Sequence, residues 1–171
     1  MQSEATKERM VLAAAHPLAE LLECPPSAGD LLNQSSRCIA FDTGEIVFRQ
    51  LGPCKGLYVV VSGNFQRRAE RLNSRVVLGH ARAGDLVELA AALGDGNHTY
   101  TLSAVSSGTL LLLPIAALQR AFESYPPLRM RLLEELAREV SRAYYACTID
   151  RITPRRRNRP QTLERHAPAQ L

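Results

Sequence analysis

The side chains that could do chemistry are concentrated in the segment GDLVELAAALGDGNHTYTLSAV, residues 84–105. Asp85, Glu88, Asp95 and His98 all lie within 14 residues there. An enzyme would need a nucleophile with its base, a pair of carboxylates or a set of metal ligands, and these four residues are better explained as parts of one loop. The segment has the outline of a loop and short helix that holds a phosphate, because free N–H groups at the start of a helix attract anions. It contains no Lys or Arg, so the cation that usually accompanies a bound phosphate is missing.

The cysteines and the N-terminus set limits on the class of protein. The four cysteines form neither a CxxC pair nor a cluster, which argues against a zinc site or a disulfide framework. No apolar run approaches the roughly 18 residues that a membrane helix needs. The start, MQSEATKERMVLAAAHPLA, is a poor secretory signal because charged residues precede a short, interrupted apolar stretch. We therefore expect a cytoplasmic protein without a membrane segment or a metal.

The net charge of +4 is unevenly distributed along the chain. Residues 151–171 contain six arginines and one glutamate, a charge of +5, which leaves the first 150 residues at −1. A nearly neutral domain does not attract nucleic acid over its whole surface. The tail has no periodicity and is predicted to be disordered.

The elements that must position residues 84–105 are mainly strands. Between residues 37 and 114, short segments rich in Val, Leu, Tyr and Thr alternate with turns at Gly44, Gly63, Gly84 and Ser106–Gly108. Short strands separated by regularly spaced glycine turns are typical of an antiparallel sandwich or barrel.

Helices are predicted on both sides of the strands. Residues 1–34 read as helical pieces with a break at Pro25–Pro26, followed by one short turn in SAGDLLNQSS. After Pro114 a short helix precedes a longer one, over residues 128–150. The longer helix would extend about 33 Å. It has an apolar stripe at three- and four-residue steps, formed by Leu128, Leu132, Leu136, Val140 and Tyr144. Such a stripe can pair with a second chain as a homodimer interface, or it can lie along its own domain.

Three strings in this order resemble one known family: FDTGEIVFRQ…GLYVVVSGNFQ, GHARAGDLVELAAAL and LLLLPIAALQRAFESYPPLRMRLLEELAREV. Over residues 35–145 the chain resembles the cyclic-nucleotide-binding domain of the CRP/FNR superfamily of bacterial regulators. The resemblance implies a mainly β fold with flanking helices. Its centre is an antiparallel β roll of the double-stranded β-helix or jelly-roll type, followed by a long C-terminal helix. The predicted domains are a helical segment (1–34), the roll (35–125), the dimerisation helix (126–150) and the basic tail (151–171).

The resemblance also identifies residues 84–105 as the family's phosphate-binding cassette. In that cassette a Gly-Glu pair opens a short helix, and an Arg about ten residues later pairs with the phosphate. The implied ligand contacts are Val87, Glu88, Leu89, Ala90, His98, Thr99 and Tyr100. The sequence departs from the family pattern at both key places. The Gly-Glu pair falls on Val87-Glu88 or, without a deletion, on Glu88-Leu89. The Arg position falls within one residue of His98, whose ordinary pKa is near 6.5.

The function implied by the resemblance is that of a sensor or regulatory domain and not of an enzyme. Its ligand would be a cyclic nucleotide, cAMP or cGMP, although the cassette is degenerate. The ligand state would reach a partner through the long helix. That partner could be a second copy of the chain or a full-length regulator in a mixed dimer. The alternative is a ligand-independent dimerisation or interaction module. Specific DNA binding is not expected, because the 20 or so residues after Asp150 are too few for a winged helix-turn-helix.

Overall fold

A computed structural model of the chain describes residues 15–71 and 74–152. The residues form two compact units, 1–137 and 138–171. The part of the second unit that is described belongs to the last helix. Residues 1–14 of the predicted helical segment and residues 153–171 of the predicted basic tail lie outside the described residues.

Five helices and eight strands are present in the described residues. The helices are α1 (Ala15–Leu21), α2 (Pro26–Ser35), α3 (Leu89–Leu93), α4 (Ile115–Ser124) and α5 (Pro127–Ile152). The strands are β1 (Arg37–Phe41), β2 (Ile46–Phe48), β3 (Gly56–Ser62), β4 (Asn64–Arg71), β5 (Ser74–Arg82), β6 (Leu86–Val87), β7 (Thr101–Ala104) and β8 (Gly108–Pro114).

The strands form two four-stranded antiparallel sheets, as the glycine turns predict. Their strand orders are β1-β8-β3-β6 and β2-β7-β4-β5. The predicted fold class, an antiparallel β roll with flanking helices and a long C-terminal helix, is confirmed. The prediction of one short turn after Pro26 is wrong, because α2 is a helix of ten residues. Pro26 suits the first helical position, and Ala28 and Leu32 are fully buried, so packing extends the helix.

Two apolar cores lie on opposite faces of strands β3 and β8. Tyr58 and Val60 point into the core shared by the two sheets, whereas Leu57 and Val59 point toward the helices. Burial on both faces explains why these strands are continuous apolar runs without the alternation of a half-exposed strand. Residues 84–105 include β6, which pairs with β3, so both cores adjoin the candidate site.

The turn at Gly63 gives a first testable prediction. Gly63 has φ +88°, and a Cβ there would lie 2.6 Å from Gly108 Cα. We expect Gly63→Ala to lower the free energy of unfolding by about 2–4 kcal/mol, because left-handed strain and overpacking add. Gly44→Ala is the matched control, since Gly44 has φ +89° with nothing within 4 Å. It should cost only the strain, about 1–2 kcal/mol. Equal losses in urea unfolding would contradict the role given to the Gly63–Gly108 contact.

Candidate functional site

Glu88 is the residue around which the candidate site is arranged. It lies between β6 and α3 in a left-handed conformation, φ 71° and ψ 34°, which costs a non-glycine residue free energy. This is the conformation expected where a side chain replaces a glycine, and it fits the alignment in which Glu88 occupies the family's glycine position. The Glu88 side chain is completely buried.

The Glu88 carboxylate contacts the residues that the sequence predicts on the other side of the cassette. The Thr99 backbone N–H donates to Oε2 at 3.4 Å, and the Thr99 hydroxyl donates to Oε1 at 3.4 Å. His98 Nδ1 lies 3.3 Å from Oε2, but Nδ1 makes no hydrogen bond within the described structure. We therefore regard this approach as a close, poorly directed contact. The structure brings Glu88, His98 and Thr99 together.

His98 is buried in an aromatic environment. Its ring stacks on Phe48 with centroids 3.8 Å apart and planes 5° apart, and it is nearly inaccessible to solvent. Burial lowers the pKa of His98 from 6.5, because removing an imidazolium from water is costly. A histidine whose pKa lies below 6.5 is mostly uncharged at neutral pH.

Tyr100 contacts both Glu88 and Arg67, a cation that was not predicted from the sequence. The Tyr100 hydroxyl accepts from the Glu88 backbone N–H at 3.3 Å, and Arg67 lies 5.7 Å from the centre of the Tyr100 ring. Arg67 Nη2 also donates to the Leu86 carbonyl at 3.2 Å. Arg67 stands on β4, two residues after the fully buried Phe65, and alternation along a strand puts both on one face. That pattern predicts only that Arg67 and Phe65 share a face of β4, and a search limited to the cassette misses Arg67 altogether.

The other predicted ligand contacts do not lie together in the structure. Val87 is buried in the core between the sheets. Leu89 packs in the core among the helices, on the other side, so the structure does not bring it into the cluster around Glu88. Ala90 is half-buried in α3.

The five residues of the predicted dimer stripe differ in their exposure to solvent. Leu128 and Leu132 are buried in the chain's own helical core, and Leu136 packs against that core. Val140 and Tyr144, in the second unit, are 60% and 69% exposed. The surface left for a second chain is thus the later part of the stripe, and its use as an interface remains a prediction.

The roll and its cassette agree with a known family. The family model described as "Cyclic nucleotide-binding domain" matches residues 38–125, slightly more than half of the chain. The chain belongs to this family. The cyclic nucleotide-binding domain therefore covers β1 to β8 and α4 and includes the whole cluster around Glu88. No curated protein matches the chain.

Solved structures with the same fold include an activator protein, the sensor domain of a transcriptional regulator and a kinase regulatory domain. The Catabolite Activator Protein of Thermus thermophilus has 22% identity and a TM-score of 0.65, covering 73% of this chain and 59% of that protein. The sensor domain of the transcriptional regulator DNR from Pseudomonas aeruginosa has 25% identity and a TM-score of 0.64, covering 79% and 89%. The regulatory domain of Toxoplasma gondii PKA, solved with cAMP, has 14% identity and a TM-score of 0.67, covering 78% and 51%. This chain shares the fold of these proteins and spans 59% of the length of the Thermus protein.

Proposed function

We propose that the chain is a CRP/FNR-type sensor domain with a degenerate cassette, which does not take up cAMP or cGMP in the family's usual way. The observation behind the proposal is the buried Glu88 carboxylate, which contacts Thr99. Beside it, the neutral His98 occupies the position of the family arginine. On this proposal the domain is not an enzyme, and its output passes through α5 to a partner protein in the cytoplasm.

Charge repulsion disfavours a cyclic phosphate beside Glu88. Two like charges about 4 Å apart repel by roughly 4 kcal/mol at the effective dielectric constant of a partly buried site. That energy corresponds to about a thousandfold loss of affinity. Arg67 could offset part of this repulsion, but its Nη2 is directed at the Leu86 carbonyl.

A groove beside α3 supports the proposal that the ligand state is transmitted through α5. The groove has a volume of about 790 Å³ and lies between α3 and the pair formed by α4 and the first turn of α5. Leu93 lines one side, and Phe122 and Arg129 line the other. A shift of α3 would change the packing across this groove, and small shifts between packed helices are a common means of switching.

A melting experiment tests the proposal. A ligand that binds only the native state stabilises it by about 2.7 kcal/mol at 100 times its Kd. We expect roughly 1 mM cAMP or cGMP, 100 times a Kd of about 10 µM, to leave the Tm of this chain unchanged. The T. gondii PKA regulatory domain, which was solved with cAMP, is the positive control. A Tm increase with either nucleotide would contradict the degenerate cassette.

The exposed part of α5 favours the alternative function, a ligand-independent dimerisation module. Val140 and Tyr144 present apolar surface, which a second copy or a full-length regulator could cover. On this alternative we expect a homodimer in sedimentation, with Val140→Glu weakening it at least about tenfold, because a charge would be buried. Leu51→Glu, at a residue that is 79% exposed, is the control and should leave the dimer intact. A wild-type monomer at high concentration would contradict this alternative.

The described part of the chain contains no helix with the length and apolarity required to cross a membrane.

A further inference from the structure

We infer that the Glu88 carboxylate is itself the anion held by this cassette, so that an anion site is occupied from within the chain. This inference rests on the proposed function, and it specifies why the cassette takes no cyclic nucleotide. The chemical class that the site accepts is a small oxyanion, a carboxylate in the native chain.

The donors are arranged as for a bound anion. Thr99 provides two of them, its backbone N–H and its hydroxyl, and each contacts a different oxygen of the same carboxylate. With a side-chain exposure of 0%, Glu88 has exchanged water for these protein donors. Burial of a carboxylate is unfavourable unless protein donors replace water, so the contacts from Thr99 help to hold it there.

The backbone at Glu88 supports the same conclusion. Glutamate adopts a left-handed conformation there, which glycine would adopt with less strain. The Glu88 N–H bonds to the Tyr100 hydroxyl, so both the backbone and the side chain of Glu88 are fixed by residues 99 and 100. The strained conformation places the carboxylate against the Thr99 donors.

Removing the carboxylate should therefore expose a vacant anion site. Glu88→Gly deletes the side chain and removes the strain of the left-handed conformation, which favours a folded variant. The probe is acetate, which has the same oxyanion as the deleted group, compared with chloride at matched ionic strength. We expect acetate to raise the Tm of Glu88→Gly and to bind it roughly tenfold or more tightly than it binds the wild type, because in the wild type the Glu88 carboxylate already occupies both Thr99 donors and hydrogen bonds to a charged group are stronger than neutral ones. Glu20→Ala, at an exposed glutamate of α1, should show no acetate effect.

The Thr99 donors are tested in the same background. Thr99→Val removes the hydroxyl donor and keeps the backbone N–H, so adding it to Glu88→Gly should weaken the acetate effect. Adding Thr109→Val, at a half-buried threonine of β8, should leave the effect at full size. If Glu88→Gly does not fold in chloride, the readout becomes refolding in acetate, measured by circular dichroism. Recovery of the folded signal supports the inference.

The result that overturns the inference is a lack of any acetate effect on Tm in folded Glu88→Gly, or on refolding when the variant is unfolded. An acetate effect that Thr99→Val leaves unchanged in size overturns it as well. A separate measurement of cAMP binding to the wild type distinguishes a failure of the proposed function from a failure of the internal-anion inference. Uptake of cAMP by the wild type refutes the proposed function, whereas a negative acetate result together with no cAMP uptake refutes only the internal anion.

Discussion

Replacing Phe48 by alanine is expected to lower the free energy of unfolding by about 3–5 kcal/mol, because the substitution removes a large ring from a close-packed interior. Phe48 is the side chain that joins the core to the candidate site. Its ring stacks on His98 at 3.8 Å and lies 5.5 Å from the Tyr58 ring and 5.9 Å from the Tyr100 ring. Loss of the Phe48 ring would leave a cavity that borders both His98 and Tyr100.

Urea unfolding of Phe48→Ala checks this expectation, and Met130→Ala is the control. Met130 is 60% exposed on α5, so its truncation should change stability by no more than about 0.5 kcal/mol. A loss below about 1 kcal/mol for Phe48→Ala would show that the aromatic cluster is not tightly packed. The same variant should move the pKa of His98 back toward 6.5, because water could then reach the imidazole.

The fold was largely predictable because its signals are local. Gly44, Gly63 and Gly84 all have positive φ, and each falls at a turn between strands, where glycine is favoured for that reason. The apolar runs in β3 and β8 are also local features, which result from burial on two faces. The length of α2 was missed because it depends on packing against other elements, which a short polar sequence such as SAGDLLNQSS does not reveal.

The site was only partly predictable because its contacts are between distant parts of the chain. Glu88, His98 and Thr99 were identified from one segment, but the burial of the carboxylate depends on backbone conformation at Glu88. Arg67 comes from β4 and could be placed near Tyr100 only with the pairing of β4 and β7 known. Leu128 and Leu132 share helical spacing with Val140 and Tyr144, yet periodicity cannot say whether the surface that covers a stripe belongs to the same chain.

The stability of the folded domain is expected to fall as the pH is lowered from about 7.5 to 5.5. Burial lowers the pKa of His98 below 6.5 in the folded state, whereas the unfolded chain keeps the ordinary value. Between these two pKa values the unfolded chain binds more protons than the folded chain, so stability increases with pH. The contribution is fully present above about 6.5 and is lost as the pH falls through that value toward the folded pKa. One such group gives a slope of at most about 1.4 kcal/mol per pH unit.

Thermal melts of the wild type and of His98→Gln across this pH range test the expectation. Glutamine cannot be protonated here, so His98→Gln should be less stable at pH 7.5, because it loses the stacking on Phe48, but should show a flatter dependence on pH. His80→Gln, at an exposed histidine of β5, is the matched control and should retain the wild-type slope. The Glu88 carboxylate, 3.3 Å from Nδ1, acts in the opposite sense, since a nearby negative charge favours the imidazolium. If the wild type became more stable on acidification and His98→Gln did not, attraction to Glu88 would outweigh burial, and His98 would serve as a cation after all.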